Sequence, residues 1–283
     1  VYNWQFVHSV DFWCIILAKA CSNEAEEESG KESEMKPLIY PLIQVAFGAI
    51  KSVHSYLPKK NPFFPYYTFR RLIPNNRSYP FHLQILRSVI SLTKHTSIYA
   101  PVAPYIVPII TSITSPSSKS KSSTLKSLDF DTLIRVPQQY VKTRVYSEGI
   151  AEEATYLLAE WLASPTVHGS IGFPEITVPV VVQLRRSLKA AKSNSAASGT
   201  AKEQNIVKTF LERVEESAKW VENLRKNVAF APGKMLAVEQ WEKGLRDQSK
   251  EAPLGKYLKV QLKAREKRRK LLEKVSLLHT EST

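Results

Sequence analysis

PLIYP (37–41), PYIVP (104–108) and PEITVP (174–179) are the stretches on which the fold turns. Each opens an apolar segment, and the second proline of each recurs after 67 and then 71 residues. Each follows a helical stretch with an aromatic inside it, around Trp13, Phe81 and Trp161. Proline suits the first turn of a helix, where the backbone N–H has no partner anyway. Three recurrences, each with a preceding helix, predict stacked helix pairs.

The rest of the chain supports that reading. Leu38, Leu42, Ile43, Phe47, Ile50 and Val53 recur at three- and four-residue spacing, as do Leu83, Leu86, Val89, Ile90 and Leu92. Ala154, Leu157, Leu158, Trp161 and Leu162 repeat the pattern. Val207, Val214, Val221 and Val228 stand seven apart with Phe210 and Leu224 between them, predicting a long helix over 202–227. A basic helix over 254–278 follows, headed by Pro253. The expected fold is all-α: an irregular HEAT- or armadillo-like α-solenoid with a long basic C-terminal helix. The repeat is longer than the roughly 40–47 residues of regular units, so loops must supply the excess. An irregular helical domain with proline-capped helices is the alternative.

Expected loops are 22–36 (acidic), 58–78 (proline and aromatic) and 115–128 (serine and lysine). The small-residue stretch 192–200 separates a scaffold, 1–191, from a C-terminal extension, 201–283. Asp129 to Val136 mixes β-branched and charged residues and reads as a short extended piece.

Charge is segregated. The 283 residues carry a formal net charge of +14. Residues 1–34 contribute −5, 35–128 contribute +12 with no acidic side chain at all, and 256–274 contribute +7. Such blocks suit surfaces reserved for a polyanion. Lys256, Lys259, Lys263, Lys267 and Lys270 follow helical steps and make one cationic stripe, joined in sequence by Arg265, Arg268, Arg269 and Lys274. A stripe of this kind can track a phosphate backbone and release its counterions. It is also what a solvated helix face or a nuclear-localisation patch at 267–270 looks like. In the 58–78 stretch, Arg70, Arg71 and Arg77 lie beside Phe63, Phe64, Tyr66, Tyr67 and Phe69. Aromatic faces with nearby cations suit unpaired bases, or the same rings plug a gap between helices. Trp4, Phe12 and Trp13, with Phe210 and Trp220, are candidates for a protein partner, although core packing accounts for them too.

Motifs for chemistry are missing. No Walker loop, dinucleotide fingerprint or His-Glu-x-x-His pattern occurs, and the six histidines lie far apart. Cys14 and Cys21 on one helix would lie roughly 10 Å apart along its axis, too far to bridge. They read as buried thiols, and two cysteines cannot by themselves make a zinc site. Asp129 and Asp131 read as solvated carboxylates, and GSIG (169–172) as an interhelical turn rather than an RNA clamp. The expectation is no catalysis, no cofactor and no metal. No apolar run reaches the roughly 18 residues of a membrane span. A secretory leader would begin with cations, whereas this one has Asp11 and none before Lys19. Starting at Val1, the chain reads as an internal portion of a longer protein.

VYNWQFVHSVDFW (1–13), PLIYPLIQVAFG (37–48), SYPFHLQILRSV (78–89), YVKTRVYSEGIAEEA (140–154), FPEITVPVVVQLRRSLK (173–189), VAFAPGKMLAVEQWE (228–242) and PLGKYLKVQLKAREKRRKLLEK (253–274) together resemble the nucleolar complex protein 2 family. Residues 58–71 look like an insertion in that pattern. The resemblance implies a helical-repeat scaffold of nucleus, nucleolus and nucleoplasm. It also implies a role in large (60S) ribosomal subunit assembly, rRNA processing and intranuclear transport of precursor particles. The implied partners are a sister nucleolar complex protein, pre-ribosomal RNA and other assembly factors. A nuclear adaptor for acidic proteins, touching RNA only indirectly, is the alternative.

Overall fold

The computed structural model describes residues 1–54, 76–114, 128–141, 143–193, 201–226, 228–230 and 233–281. Among them the fold is helical, with no strand. The helices are α1 (Trp4–Ala20), α2 (Asn23–Ser29), α3 (Ile39–His54), α4 (Tyr79–Thr96), α5 (Ala103–Thr114), α6 (Arg144–Leu162), α7 (Phe173–Ser193), α8 (Ala201–Arg225), α9 (Met235–Gln248) and α10 (Pro253–Glu281).

Contacts sort eight of them, all but α2 and α9, into two rows. One row runs α1, α4, α6, α8 and α10, each helix against the next. The other runs α3, α5 and α7, bridged from α3 to α5 by the stacked rings of Phe47 and Tyr105, 4.3 Å between centroids. Cross-contacts α3–α4, α5–α6 and α7–α8 join the rows. The proline motifs open the helices of the second row, and Trp13, Phe81 and Trp161 belong to α1, α4 and α6 of the first. The internal repeat is therefore the alternation between rows, in the manner of an α-solenoid.

Local sequence starts several helices. Asn3, Ser22 and Thr143 accept hydrogen bonds from the backbone N–H groups of Phe6, Ala25 and Tyr146, capping α1, α2 and α6. α4 is buried on most sides, polar His82, Ser88, Thr93 and Thr96 included, and is enclosed by α1, α3, α5 and α6. Trp161, Tyr79, Phe81, Phe173 and Phe210 are fully buried in one continuous core. Each contributes about 1.5–3 kcal/mol by leaving water.

Several expectations are corrected. The acidic stretch 22–36 is not all loop: Ser22 starts α2, and Gly30 ends it in the left-handed conformation, φ 64°. Pro108 and Pro179 lie inside α5 and α7 rather than in their first turns. Each removes an intrahelical donor, and each faces solvent, where water can serve the freed carbonyl. Residues 129–136 form turns, not an extended strand. They are held by Phe130, whose ring takes the space a Cβ on Gly149 would need. Asp131 pairs with Arg87 at 2.6 Å while its carboxylate stays exposed. The small-residue stretch at 192–200 does not divide the core, because α8 beyond it packs on α5, α6 and α7. Loop 58–78 is described only at 76–78, a 3₁₀ turn, and loop 115–128 only at Leu128.

Cys14 and Cys21 are free and buried, and burial pushes the Cys14 thiol up to about 12. His168, between α6 and α7, packs against Phe173 and Trp220 with neither ring nitrogen hydrogen-bonded. Desolvation lowers its pKa to about 4. Since the unfolded chain binds this proton near pH 6.5 and the folded one does not, stability is full above 6.5 and falls as pH drops towards 4. In urea unfolding between pH 7 and pH 5, wild type should lose about 2 kcal/mol more than His168→Leu. Equal losses would show that His168 titrates normally in the fold.

Candidate nucleic-acid interface

The C-terminal cations acquire distinct roles once α10 is placed. Pro253 begins the helix, and the buried hydroxyl of Ser217 on α8 accepts from the Leu254 N–H at 2.8 Å. A donor that α10 cannot satisfy internally is thus satisfied by its neighbour, which sets where α10 begins on α8. Gly255 is required for the same approach: a Cβ there would stand 2.5 Å from the carbonyl oxygen of Ser249. From this point Leu254, Tyr257, Leu258, Gln261 and Arg265 turn towards α6 and α8.

Two arginines of α10 reach α6, Arg265 partly buried and Arg268 exposed. Arg265 reaches Oε2 of Glu153 on α6 at 2.6 Å and covers the ring of Tyr156, 3.8 Å from its centroid. Arg87 on α4 takes Oε1 of the same carboxylate, also at 2.6 Å. The Glu153 side chain is only 9% exposed, so it sits shared between two guanidiniums with little water to replace either. Arg268 pairs with Glu152 at 3.0 Å. Between α6, α8 and α10 lies an open cleft of about 500 Å³ lined by Glu152, Tyr156, Lys202, Tyr257 and these two arginines. Burial, together with Glu160, pushes the Tyr156 hydroxyl up to about 12.

On the opposite side the five-lysine stripe faces solvent. Lys256, Lys259, Lys263, Lys267 and Lys270 are all exposed. Lys256 and Lys259 share the exposed Glu251, at 3.9 and 3.2 Å, and Lys270 pairs with Glu266 at 2.8 Å. Lys263 and Lys267 meet no acidic group among the described residues. Exposed pairs of this sort contribute little, so a phosphate can displace them. Arg269 is exposed on the same helix, and the side chain of Lys274 lies outside the described residues.

The remaining candidates divide similarly. Arg77 is half-buried, and its Nε donates to the Val136 carbonyl at 3.0 Å, tying it to the 129–136 turn. Arg70 and Arg71 lie outside the described residues. Phe210 is wholly enclosed and presents nothing to a partner, while Trp220 is half-buried against His168. Trp4 is half-buried and stacks on His8; Phe12 and Trp13 are exposed. GSIG (169–172) is an interhelical turn, as expected, with Gly169 packed against the Pro165 carbonyl and Arg246. The carboxylates of α6 that receive the arginines were invisible in the sequence, because their partners are 112 and 116 residues away. Among the described residues no cluster of His, Cys, Asp or Glu could hold a metal, and no helix is long and apolar enough to cross a membrane.

Comparison with known proteins gives a consistent picture. An uncharacterised NOC2 family protein of Schizosaccharomyces pombe is 33% identical over 96% of this chain and 34% of its own length. Nucleolar complex protein 2 of Drosophila melanogaster is 29% identical over 95% of the chain and 30% of its own length. Nucleolar complex-associated protein 2 of Arabidopsis thaliana is 24% identical over 92% and 29%. The chain thus spans about a third of the length of these relatives. The Noc2p family pattern matches residues 1–60 and 67–261. Its break falls within residues 58–71, and its end precedes Lys263, Lys267 and Lys270 of the α10 stripe. With the rest of the stack inside the match, the chain belongs to the Noc2p family.

Proposed function

We propose that this chain is a non-catalytic scaffold in nucleolar ribosome biogenesis, acting in assembly of the large (60S) subunit and carrying precursor rRNA on α10. The names of its nucleolar relatives support the setting. The observation that carries the RNA reading is the outward lysine stripe, separated from the inward Arg265 by half a turn of helix. A row of unburied ammonium groups along one helix matches a phosphate backbone, and it reads no base. In this reading the stack also binds a sister nucleolar complex protein. Together they serve rRNA processing and movement of precursor particles from nucleolus to nucleoplasm.

Filter binding of a large-subunit precursor rRNA transcript across a salt series tests this. Lys263→Glu, Lys267→Glu and Lys270→Glu combined should weaken binding and flatten the log–log salt slope by about 2, near 0.7 per lost phosphate contact. These side chains are exposed, so the fold should keep its thermal midpoint. An unchanged slope would remove α10 from the RNA surface.

A further inference from the structure

The cleft between α6, α8 and α10 has a lining that neither the arginine–carboxylate pairs nor the lysine stripe accounts for. At about 500 Å³ it falls in the usual range of ligand pockets, roughly 300–1,000 Å³. Thr155 lines it, 1% exposed, with a hydroxyl that has no hydrogen-bond partner. The side chains of Asn205, Thr209 and Gln261, also in the lining, make no hydrogen bond among the described residues. Flat faces stand beside them: the half-buried rings of Tyr156 and Tyr257, and the Arg265 guanidinium over Tyr156. Uncommitted donors and acceptors next to flat faces are what a planar heterocycle needs.

Charge decides what kind of heterocycle. The cations of the lining, Lys202, Arg265 and Arg268, each already meet a carboxylate: Glu148 at 2.8 Å, Glu153 at 2.6 Å and Glu152 at 3.0 Å. A phosphate inside the cleft would have to compete with all three carboxylates, whereas an uncharged base would not. Phosphate charge has its place next door. Ala264 and Arg268 directly follow Lys263 and Lys267, so about 100° of helix separates the cleft from the lysine stripe. Along this boundary Val260, Ala264 and Leu271 form an exposed apolar edge at helical spacing, Val260 and Leu271 being 64% and 63% exposed.

We propose that the cleft takes an unpaired nucleobase of the RNA whose phosphates lie along the α10 stripe. The base lies against Tyr257 and the Tyr156–Arg265 pair, with its polar edge towards Asn205 and Gln261, and the strand enters over Val260 and Ala264. Single strands can turn a base into such a site, and a paired duplex cannot. The inference rests on the RNA reading above and adds to it a selectivity for unpaired RNA that a row of lysines lacks.

The probes are a short oligouridylate carrying one central fluorescent aminopurine and the same strand annealed to its complement, each titrated with the whole 283-residue chain. The aminopurine of the single strand should be quenched on binding, as it stacks, and that of the duplex should not change. Thr209→Ile with Ala264→Ile, both at exposed positions, crowds the cleft with uncharged, non-planar side chains. The pair should weaken the single strand roughly tenfold or more, leave the duplex unchanged and keep the salt slope, because no phosphate contact is lost. The α10 lysine reversals should instead flatten the slope and weaken both RNAs, so failure of the stripe and failure of the cleft are separable. A single strand that binds without quenching overturns the proposal, as does a Thr209→Ile/Ala264→Ile chain that keeps both its thermal midpoint and its full affinity for the single strand. Equal weakening of both RNAs by that variant also overturns it, since the cleft mouth would then touch only the backbone. Absence of binding to either RNA removes the stripe and the cleft together.

Discussion

Glu153→Ala should release α10 from the stack. The substitution removes the carboxylate that Arg87 and Arg265 share and leaves two guanidiniums beside an apolar gap on α6. Breaking a buried pair costs about 3–5 kcal/mol; these arginines are each about a third exposed, so water recovers part of it and about 2–4 is expected. The loss should concentrate on α10, whose other main attachments are Leu254, Tyr257 and Leu258. Hydrogen exchange is the discriminating measurement: amides of 253–271 should exchange much faster, while those of α4 and α6 keep most of their protection. Glu153→Gln, which retains an acceptor but not the charge, should fall between the two. Unchanged protection of α10 would mean that its apolar contacts alone hold it.

Trp161→Ala should cost about 3–5 kcal/mol of global stability. Trp161 is 1% exposed, at the centre of the first row, and its indole N–H donates to the Ala100 carbonyl at 2.9 Å. Alanine removes the ring and also orphans that buried carbonyl, which links α6 to the α4–α5 connection. Trp161→Phe isolates the second part: most of the apolar volume stays, and about 1–2 kcal/mol should go with the hydrogen bond. Urea midpoints of the two variants against wild type measure both quantities. A Phe variant as damaged as the Ala variant would show that the hydrogen bond, not the ring's volume, dominates.

The proline motifs and the spacing of apolar residues were enough to place most helices, because a helix buries one stripe and its period shows in the chain. The long helices expected over 202–227 and 254–278 match Ala201–Arg225 and Pro253–Glu281 to within three residues. α2 was missed because a glutamate-rich segment whose one apolar residue is Ala25 has no apolar stripe; only the Ser22 cap and Gly30 stop marked it. The interior positions of Pro108 and Pro179 were missed because proline is commonest at helix starts, and that role belongs to Pro104 and Pro174 of the same motifs.

The functional surface was legible only in part. Step spacing alone aligned Lys256, Lys259, Lys263, Lys267 and Lys270, and the fold leaves all five exposed. The same charge count included Arg265, Arg268 and Arg77, yet these serve Glu153, Glu152 and the Val136 carbonyl. A cation's sequence neighbours do not reveal which carboxylate will lie across a helix interface. Phe210 and Phe12 looked alike as apolar residues, and the fold encloses one and exposes the other.

Sequence alone thus determined the helical class, the pairing rhythm and the segregation of charge, all properties of local period and composition. Only the tertiary structure decided which cations bind across helix interfaces and which face solvent, and which aromatics face outwards. Those outcomes depend on contacts between residues 59 to 116 positions apart, where local period carries no information.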